Sequence, residues 1–455
     1  MAETRLKIND NARLIIDTLQ KNNHKAYIVG GCVRDQFLNK KPHDWDICTS
    51  ATPDEVIKIF KDYHVIETGI KHGTVTVLIN HEPFEVTTFR IDGDYSDNRH
   101  PNSVTFTTDL EKDLARRDFT INAMAYNDQE GLIDPFNGKM DIYWNFLCCV
   151  GNPYDRIKED PLRILRALRF AVTEHLDIHD ATKKAIKQRI YKLDEIAKER
   201  IRDEICKMLS CKHIGLIALK DYAFILTYVI PELKDTIDFE QFNPYHDYTV
   251  YNHIVKAIKV CGTTDLITRL TLLFHDIGKP HCFYDDDNNI RHFKGHGKVS
   301  AEMAEAIMIR LKFDNDTKHK VTELVKYHDS TIDASPKSIK RWLNRIGEEQ
   351  FRRLLDVRRA DILAQKETTD SARIEKIDRI RTELDKIIKN KECFSRKDLA
   401  INGHHIEILT NSKPGKHIGE ALDQILQLVI DGKLENTKEA LIDYIKDNIR
   451  FGNKT

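Results

Sequence analysis

The sequence feature that most constrains the fold is a short apolar run that ends in two glycines and is soon followed by two aspartates. Residues 26–29 predict a strand, and Gly30 and Gly31 predict the turn that ends it. Asp44 and Asp46 follow, two positions apart. Side chains at positions i and i+2 of a strand point to the same face of the sheet. The pattern therefore predicts a sheet that presents two carboxylates on one face.

Two carboxylates on one face can share two Mg²⁺ ions, because magnesium in proteins prefers one or two carboxylates together with substrate phosphates. Two ions about 4 Å apart can activate a hydroxyl and neutralise a leaving pyrophosphate. Glu85, on a later apolar strand, is a candidate third carboxylate and a possible base. Gly30 and Gly31 would let the backbone approach a triphosphate, whose charge Arg34 would neutralise. A lone Asp-x-Asp is more often a solvated turn, but these neighbours favour a phosphoryl-transfer site.

Strand and helix signals mix up to about residue 150, and helical signals dominate after it. Residues 1–25 predict one amphipathic helix, since apolar residues recur along one stripe. The β-branched runs 74–79 and 84–89, separated by a polar turn, predict a hairpin. Residues 92–103 are rich in Gly, Asp, Asn and Pro and predict a flexible loop. The chain is therefore predicted to be α+β, with a small mixed sheet at the front and an all-α body behind.

Composition excludes several classes of protein. No apolar stretch approaches the roughly 20 residues that span a bilayer, and the polar N-terminus, of mixed charge, does not predict a signal peptide. The nine cysteines include no Cys-x-x-Cys pair, which predicts reduced thiols in a cytoplasmic protein. The net charge of −1 means that a nucleic-acid partner would need local basic surfaces, such as residues 183–200. Those residues are equally consistent with a solvated helix face.

Two arginine-rich segments extend the candidate site. Residues 116–123 place Arg117, Asp118 and Asn122 around an apolar helical stripe, which suits ribose and phosphate; the alternative is a helix cap with surface arginines. Asp160 precedes three arginines spaced at i, i+3 and i+6, which stay mostly on one side of a helix. They are Arg163, Arg166 and Arg169. A carboxylate beside an arginine suits the Watson–Crick edge of a base, whereas the alternative is a salt-bridged helix face.

Five segments carry a family resemblance, in order across residues 26–170: GGCVRD, HDWDICT, EVTTFR, RRDFTINA and EDPLRILRALRF. Together they resemble class II tRNA nucleotidyltransferases, the CCA-adding enzymes and their bacterial poly(A) polymerase relatives. The resemblance implies a DNA polymerase β-like nucleotidyltransferase head, tRNA as the partner, and CTP and ATP as substrates. It implies that Asp44 and Asp46 hold two Mg²⁺ ions. It assigns Gly31, Arg34 and Arg117 to the triphosphate and ribose, and Asp160 and Arg163 to the incoming base, with Arg166 and Arg169 nearby.

Residues 244–365 hold a second constellation of histidines and aspartates. In chain order these are His253, His275, Asp276, His296, His328 and Asp361. For any one such histidine a satisfied or exposed side chain is the simpler interpretation, but the ordered set resembles the HD superfamily of metal-dependent phosphohydrolases. The resemblance implies that His253, His275, Asp276 and Asp361 hold one metal, and that His296 and His328 are available for a second. Imidazole with carboxylate suits Mn, Fe, Ni or Mg.

The predicted organisation is a nucleotidyltransferase head over 1–150, a helical nucleotide-selecting neck over 151–240, an HD domain over 241–365 and a helical tRNA-binding body over 366–455. The loop at 92–103 resembles the full-length loop of the family, which argues against an enzyme that adds only C. Addition of A alone, poly(A) synthesis and a main role as an HD phosphohydrolase on RNA ends stay open, as does the oligomeric state. The glycine-rich turn at 414–419 predicts either phosphate-binding N–H groups or a plain helical turn.

Overall fold

The computed structural model describes residues 5–93, 103–242, 248–365 and 370–451. The chain divides into two compact units, residues 1–231 and 232–455. The first unit contains the main sheet, and the second is almost entirely helical. Within the described residues, no helix is both long and apolar enough to cross a membrane. The finer division into four domains stays a prediction.

A seven-stranded mixed sheet organises the first unit, in the order β3-β4-β5-β2-β1-β8-β9. Strands β2 and β5 run parallel, and the other neighbours in this sheet run antiparallel. The strands of the unit are β1 Ala26–Val29, β2 Ile47–Thr49, β3 His64–Ile66, β4 Thr74–Ile79, β5 Glu82–Thr88, β6 Arg90–Asp92, β7 Val104–Phe106, β8 Ala125–Asn127, β9 Gly131–Ile133, β10 Phe146–Leu147 and β11 Asp177–Ile178.

The helices of the first unit follow and flank the sheet. They are α1 Asp10–Lys21, α2 Gly31–Phe37, α3 Pro53–Ile59, α4 Leu110–Ala115, α5 Gly138–Tyr143, α6 Pro153–Glu159, α7 Arg163–Glu174, α8 Asp180–Arg189, α9 Lys198–Leu209, α10 Leu216–Asp221 and α11 Ala223–Val229. One core cluster joins Tyr27 and Val29 of β1 to Leu110 and Leu114 of α4. The cluster packs β1 against α4. The Gly-Gly turn follows β1 and the segment at 116–123 follows α4, so this packing brings the two together.

The hairpin predicted from the two β-branched runs is confirmed. Buried and partly buried residues alternate along β4, and its buried residues pair with those of β5, as Val75 with Val86 and Val77 with Phe84. The two-residue turn consists of Asn80 and His81, with φ of 50° and 67°. Positive φ at both central residues belongs to the type I′ turn, whose twist matches that of paired strands. The hairpin places β5 beside β2 and so brings Glu85 toward the aspartates.

Two predicted helices are wrong in extent. The helix predicted over residues 1–25 begins only at Asp10, because the Asn9 side chain caps it by accepting the N–H groups of Asn11 and Ala12. It ends at Lys21, after which Asn23 takes a positive φ of 63°.

The segment at 116–123 also departs from the predicted helical stripe. α4 ends at Ala115, and only Thr120–Asn122 forms a short 3₁₀ turn. The segment instead pairs with residues 148–150: the Thr120 N–H donates to the Cys148 carbonyl at 3.0 Å, and the Val150 N–H donates to the Asp118 carbonyl at 3.1 Å. This pairing competes with helix formation and holds the segment extended across the site.

The predicted loop at 92–103 lies largely outside the described residues, which omit 94–102. Its ends are described and come together, because β6 and β7 pair antiparallel with Asp92 opposite Val104.

The second unit is a helical array with one small hairpin. Its elements are α12 Val250–Val260, α13 Leu266–Phe274, β12 Tyr284–Asp285, β13 Arg291–His292, α14 His296–Arg310, α15 Asn315–Tyr327, α16 Pro336–Ala364, α17 Asp370–Lys389, α18 Gly403–Thr410, α19 Lys416–Ile430 and α20 Lys438–Asn448. α16 breaks at Gly347, whose φ is 78°. A second core cluster joins α18, α19 and α20. The glycine-rich turn does open a helix, since Gly415 directly precedes α19.

The core around α16 generates a stability prediction. Phe351 is fully buried and stacks on Trp342 with ring centroids 6.2 Å apart. Phe351→Ala should lower the free energy of unfolding by about 3–5 kcal/mol, because apolar burial is lost and a cavity remains. Urea denaturation measures this change. Ile309→Ala, at a position 53% exposed on α14, is the control and should change it by less than about 0.5 kcal/mol. A loss below about 1 kcal/mol for Phe351→Ala would contradict a packed core here.

Candidate active site and metal centre

Gly30 ends β1 with a φ of 76°, in the region that favours glycine. A Cβ at this position would lie 2.9 Å from Nη1 of Arg117. A side chain at residue 30 would therefore displace the end of the Arg117 side chain from its present position. Gly31 begins α2, and a Cβ there would meet Nη2 of Arg34 at an ordinary 3.7 Å. The Gly-Gly turn thus brings two arginines close to the end of β1.

The three acidic residues predicted for the head do come together. Glu85 lies on β5, one position before Val86, which pairs with Ile47 in parallel register. Asp46 precedes Ile47, so Glu85 and Asp46 are neighbours across the two strands. Desolvation by surrounding protein raises the pKa of the Asp46 carboxyl although this residue keeps surface exposure, and the charges of Glu85 and Asp44 raise it further, while Arg117 lowers it. The ligand atoms of these three described carboxylates do not all lie within 4.8 Å of one another, so binding of a shared cation would require their side chains to move together.

Asp44 and Asp46 lie just before β2, although the sequence places them on a strand. The ladder with β1 stops at Asp46, whose carbonyl accepts the Val29 N–H at 3.0 Å. The next residue of β1 would be Gly30, where the chain turns with positive φ and leaves the sheet. The i, i+2 spacing still places both aspartates at the same end of β2.

A buried ion-pair network lies beside the acidic residues. Asp118 is only 7% exposed, and its carboxylate accepts from Nε of Arg166 at 2.8 Å and from Nδ2 of Asn122 at 3.1 Å. Burial would raise the pKa of this carboxyl, but Arg166, Asn122 and Arg163 hold it well below its ordinary value. Asn122 in turn accepts from Nη1 of Arg34 at 2.7 Å. The four residues predicted here as nucleotide ligands are therefore connected to one another.

Asp160 and Arg163, the predicted base-reading pair, lie at the start of α7. Asp160 accepts from Nη2 of Arg200 at 2.9 Å. Arg163 is buried, and its guanidinium donates to Glu159 at 2.7 Å and to the Arg116 carbonyl at 3.1 Å. Both side chains therefore have partners in this state, and pairing with a base requires exchange of those partners.

Four of these residues, Asp118, Asp160, Arg163 and Arg166, line a cavity of about 340 Å³ in which arginine side chains predominate. Its walls are formed by Arg90, Asp92, Arg116, Arg117, Asp118, Asp160, Leu162, Arg163, Arg166 and Arg200. The volume lies at the lower end of the range for small-molecule pockets. A concave surface with this many guanidinium groups suits a polyanion such as a nucleoside triphosphate.

Arg169 takes a different position from the other α7 arginines. Its Nε donates to Glu204 of α9 at 2.6 Å, and its guanidinium lies 4.1 Å from the Phe170 ring centroid. Arg34 and Arg166 also stack on Phe170, at 5.1 Å and 5.5 Å. The Phe170 ring therefore contacts three guanidinium groups. Arg169 also connects α7 to α9.

The sequence interpretation missed Asp113, a fully buried residue of α4. Its carboxylate accepts the Arg90 N–H at 3.2 Å and pairs with Arg116 at 2.8 Å and Arg117 at 3.6 Å. Asp113 on α4 therefore connects β6 to the start of the segment at 116–123, and both of these contribute arginines to the cavity. The i, i+3 and i, i+4 spacing to the two arginines was the available signal.

The second unit brings the six predicted HD residues into one cluster, in which all but the half-buried Asp361 are buried. Nε2 of His275 lies 3.2 Å from Nε2 of His253, and Nε2 of His296 lies 3.0 Å from Nε2 of His328. The other ring nitrogen of His275, of His296 and of His328 each donates to a backbone carbonyl at 2.7–2.8 Å. These protons are directed outward, so lone pairs on Nε2 face the centre of the cluster.

Asp276 lies between the two histidine pairs. One carboxylate oxygen is 3.4 Å from His253 and 3.3 Å from His275, and the other is 3.3 Å from His296. Asp361 approaches His253 at 2.9 Å. Burial opposes ionisation of Asp276, but the Lys279 ammonium pairs with its carboxylate at 2.7 Å and favours the ionised form. Facing lone pairs bridged by an ionised carboxylate fit two divalent cations.

Comparison with known proteins identifies the family of the chain. A family model described as "Poly A polymerase head domain" matches residues 26–148. One described as "Probable RNA and SrmB- binding site of polymerase A" matches residues 175–237. A third, described as "tRNA nucleotidyltransferase domain 2 putative", matches residues 292–445.

Relatives cover nearly the whole chain. The CCA-adding enzyme of Lactobacillus helveticus is 32% identical over 95% of this chain and 96% of its own length. The CCA-adding enzyme of Bacillus cereus strain 03BB102 is 31% identical over 97% of this chain and 99% of its own. The crystal structure of the Bacillus stearothermophilus CCA-adding enzyme in complex with CTP is 26% identical, covers 96% of each chain and gives a TM-score of 0.73. The chain therefore belongs to the family of CCA-adding enzymes, which are tRNA nucleotidyltransferases.

Proposed function

We propose that this chain adds CCA to the 3′ end of tRNA from CTP and ATP, without a nucleic-acid template. The observation that carries the proposal is the contiguity of the acidic residues with the arginine-lined cavity. Arg117 belongs to both, since it lines the cavity and its charge acts on Asp46. A metal-binding edge beside a polyanion cavity is the arrangement that nucleotidyl transfer needs.

In the proposed reaction, the tRNA 3′-hydroxyl oxygen forms a bond to the α-phosphorus of CTP or ATP. The bond from that phosphorus to the bridging oxygen of the β-phosphate breaks, and pyrophosphate leaves. Asp44 and Asp46 would hold two Mg²⁺ ions, with Glu85 as a further ligand or as the base. Bound Mg²⁺ supplies activation of the hydroxyl and neutralisation of the departing charge.

The arginines of the cavity would bind the triphosphate and ribose, with Gly30 and Gly31 allowing close approach of the backbone. Asp160 and Arg163 would pair with the base once it displaces Arg200 from Asp160 and Glu159 from Arg163. A base with the wrong edge would not replace the contacts with Arg200 and Glu159 by equivalent hydrogen bonds, so it would bind more weakly. Because Asp160 and Arg163 belong to the protein, this selection of the nucleotide needs no nucleic-acid template.

Addition of A alone and poly(A) synthesis are rival reactions at the same site. The loop that bears on this choice contains residues 94–102, which lie outside the described structure. The relatives named CCA-adding enzymes favour complete CCA addition. The basic residues of 183–200 would contact the tRNA backbone, in line with the family match described as RNA-binding over 175–237. The nine free cysteines suit a reducing, cytoplasmic setting.

The buried histidine cluster favours a second activity. The cluster would hold one or two divalent ions (Mn, Fe, Ni or Mg), with His253, His275, Asp276 and Asp361 as ligands of one and His296 and His328 available for another. A bound ion pair supplies an activated water and neutralises a phosphate. We propose a metal-dependent phosphohydrolase that acts on a 2′,3′-cyclic phosphate or a phosphate monoester at an RNA end.

The nucleotide-selection proposal predicts that Asp160→Ala combined with Arg163→Ala loses selectivity. On a tRNA transcript lacking CCA, the ratio of kcat/KM for CTP over UTP should fall by about tenfold or more, because one bidentate pairing is lost. The affinity for the triphosphate should change by less than about threefold, under 1 kcal/mol.

The matched control is Arg202→Ala with Asp203→Ala, an ion pair on α9 with a 2.8 Å contact. It should keep the selectivity of the unaltered chain, and thermal unfolding should show both variants folded. Unchanged selectivity in the first variant refutes base selection by Asp160 and Arg163. Failure of the unaltered chain to extend the transcript refutes CCA addition.

The phosphohydrolase proposal predicts that His275→Ala separates the two activities. Hydrolysis of an RNA-end phosphate by the Mn²⁺-loaded protein should fall by about 100-fold or more, and bound manganese should fall with it. Extension of tRNA should persist. The control is His281→Ala, a surface histidine of the same unit that pairs with Asp235 at 3.5 Å. Hydrolysis that survives in His275→Ala, or is absent from the metal-loaded unaltered chain, would overturn the proposal.

A further inference from the structure

The small hairpin of β12 and β13 forms one wall of the cavity that opens onto the histidine cluster. This cavity has a volume of about 420 Å³. Its floor includes Asp276, His296, His328 and Asp361, and its wall includes Tyr284, Ile290, Arg291, His292, Phe293 and Lys294. The hairpin residues supply none of the ligands predicted for the metals, so their role in the cavity is unexplained by the metal site.

The hairpin is held firmly in place. The Arg291 guanidinium forms a bidentate pair with Asp285 at 2.8 Å and 2.9 Å and donates to the Glu240 carbonyl at 3.0 Å. It also lies 4.4 Å from the Phe283 ring centroid and 5.1 Å from that of Phe239. These contacts fix the orientation of the hairpin relative to the segment before α12.

Two rings of the hairpin stack on each other. Tyr284 and His292 are a cross-strand pair whose ring centroids lie 5.1 Å apart with an interplanar angle of 22°. Nε2 of His292 is bound to Asp286 at 2.9 Å, which fixes the imidazole. Asp286 also accepts the N–H groups of Asn288 and Ile290 and so shapes the turn. Tyr284 remains 52% exposed, so one ring of the stack can accept another ring.

We propose that Tyr284 and His292 form a stacking platform for the nucleobase nearest the scissile phosphate. The inference rests on the proposed phosphohydrolase function and names its substrate class: a nucleoside 2′- or 3′-phosphate, free or at an RNA end. Stacking on aromatic rings suits nucleobases because every base presents a π-face. Lys294, exposed at the same wall, would meet the phosphate of a preceding nucleotide.

For a 3′-phosphate, the water oxygen forms a bond to phosphorus as the bond from phosphorus to O3′ breaks. The departing oxygen takes a proton and becomes a 3′-hydroxyl, and inorganic phosphate is released. The platform contacts only the base, so it contributes to substrate affinity and not to the bond changes themselves.

The first test compares adenosine 3′-monophosphate with glycerol 2-phosphate, using the full chain loaded with Mn²⁺ and release of inorganic phosphate as the measurement. Both are monoesters of secondary alcohols, so the leaving group is matched and the nucleoside is the difference. The unaltered chain should prefer the nucleotide in kcat/KM. Tyr284→Ala should reduce that preference by about tenfold, through KM. Tyr284→Phe keeps the ring and should keep the preference.

A second measurement does not depend on turnover. Equilibrium dialysis of radiolabelled adenosine against the Mn²⁺-loaded chain measures base binding with no phosphate to hydrolyse. Arg163→Ala is included in every protein, so that adenosine bound in the head is reduced equally in each. Tyr284→Ala should weaken adenosine binding by about tenfold, and Tyr284→Phe should not.

The outcomes separate the inference from the activity on which it rests. Equal preference for both esters, with adenosine binding unchanged in Tyr284→Ala, would overturn the platform and leave the phosphohydrolase standing. No hydrolysis of either ester, nor of adenosine 2′,3′-cyclic phosphate, would overturn the phosphohydrolase, whereas Tyr284-dependent adenosine binding would still support the platform. Loss of both in Tyr284→Ala and in Tyr284→Phe would point to the hydroxyl and refute stacking.

Discussion

The head site depends on a buried carboxylate, Asp118, that is fully bonded to its neighbours. It links Arg166 on α7 to Asn122 on the segment at 116–123, which pairs with residues 148–150 and is called the pairing segment. Asn122 in turn positions Arg34 after the Gly-Gly turn. Taking ions out of water costs several kcal/mol each, and that cost is offset only when the bonding is nearly complete. Such a network therefore specifies one arrangement of α2, the pairing segment and α7. The pairing segment and α7 line the arginine-rich cavity, so the network also determines the shape of the cavity.

The acidic residues and the histidine cluster share a different principle, which is that several groups able to bind a cation lie close to one another. Desolvation and repulsion raise the pKa of Asp46 beside Glu85 and Asp44. In the second unit, carbonyls bind the outward imidazole protons, so Nε2 atoms face one another at 3.0–3.2 Å. Each arrangement is unfavourable by itself and becomes favourable around a cation. In the second unit, the core around α16 stabilises the helix that carries Asp361.

Much of this could be predicted from the sequence, because the patterns concerned are local. The β4–β5 hairpin follows from β-branched runs around a polar turn. The six histidines and aspartates of the second unit are singled out by their resemblance to the HD superfamily, and their role as metal ligands stays a prediction. The errors arise where distant contacts decide the outcome. Residues 148–150 hold the segment at 116–123 extended, and the end of β1 at Gly30 leaves Asp44 outside the strand. The partners of Arg163 and Arg169 depend on neighbouring helices, and the buried Asp113 has meaning only once three segments meet.

The most direct measurement uses tRNA transcripts that end before CCA, after C and after CC, each incubated with Mg²⁺ and labelled CTP, ATP or both. The proposed function predicts stepwise growth to CCA on all three transcripts, and loss of growth when Asp44 and Asp46 are both replaced by alanine. Growth of only the transcript that ends in CC would make the chain an A-adding enzyme. No incorporation on any transcript, or growth that survives in the doubly substituted chain, would contradict a metal-dependent nucleotidyl transfer at this site.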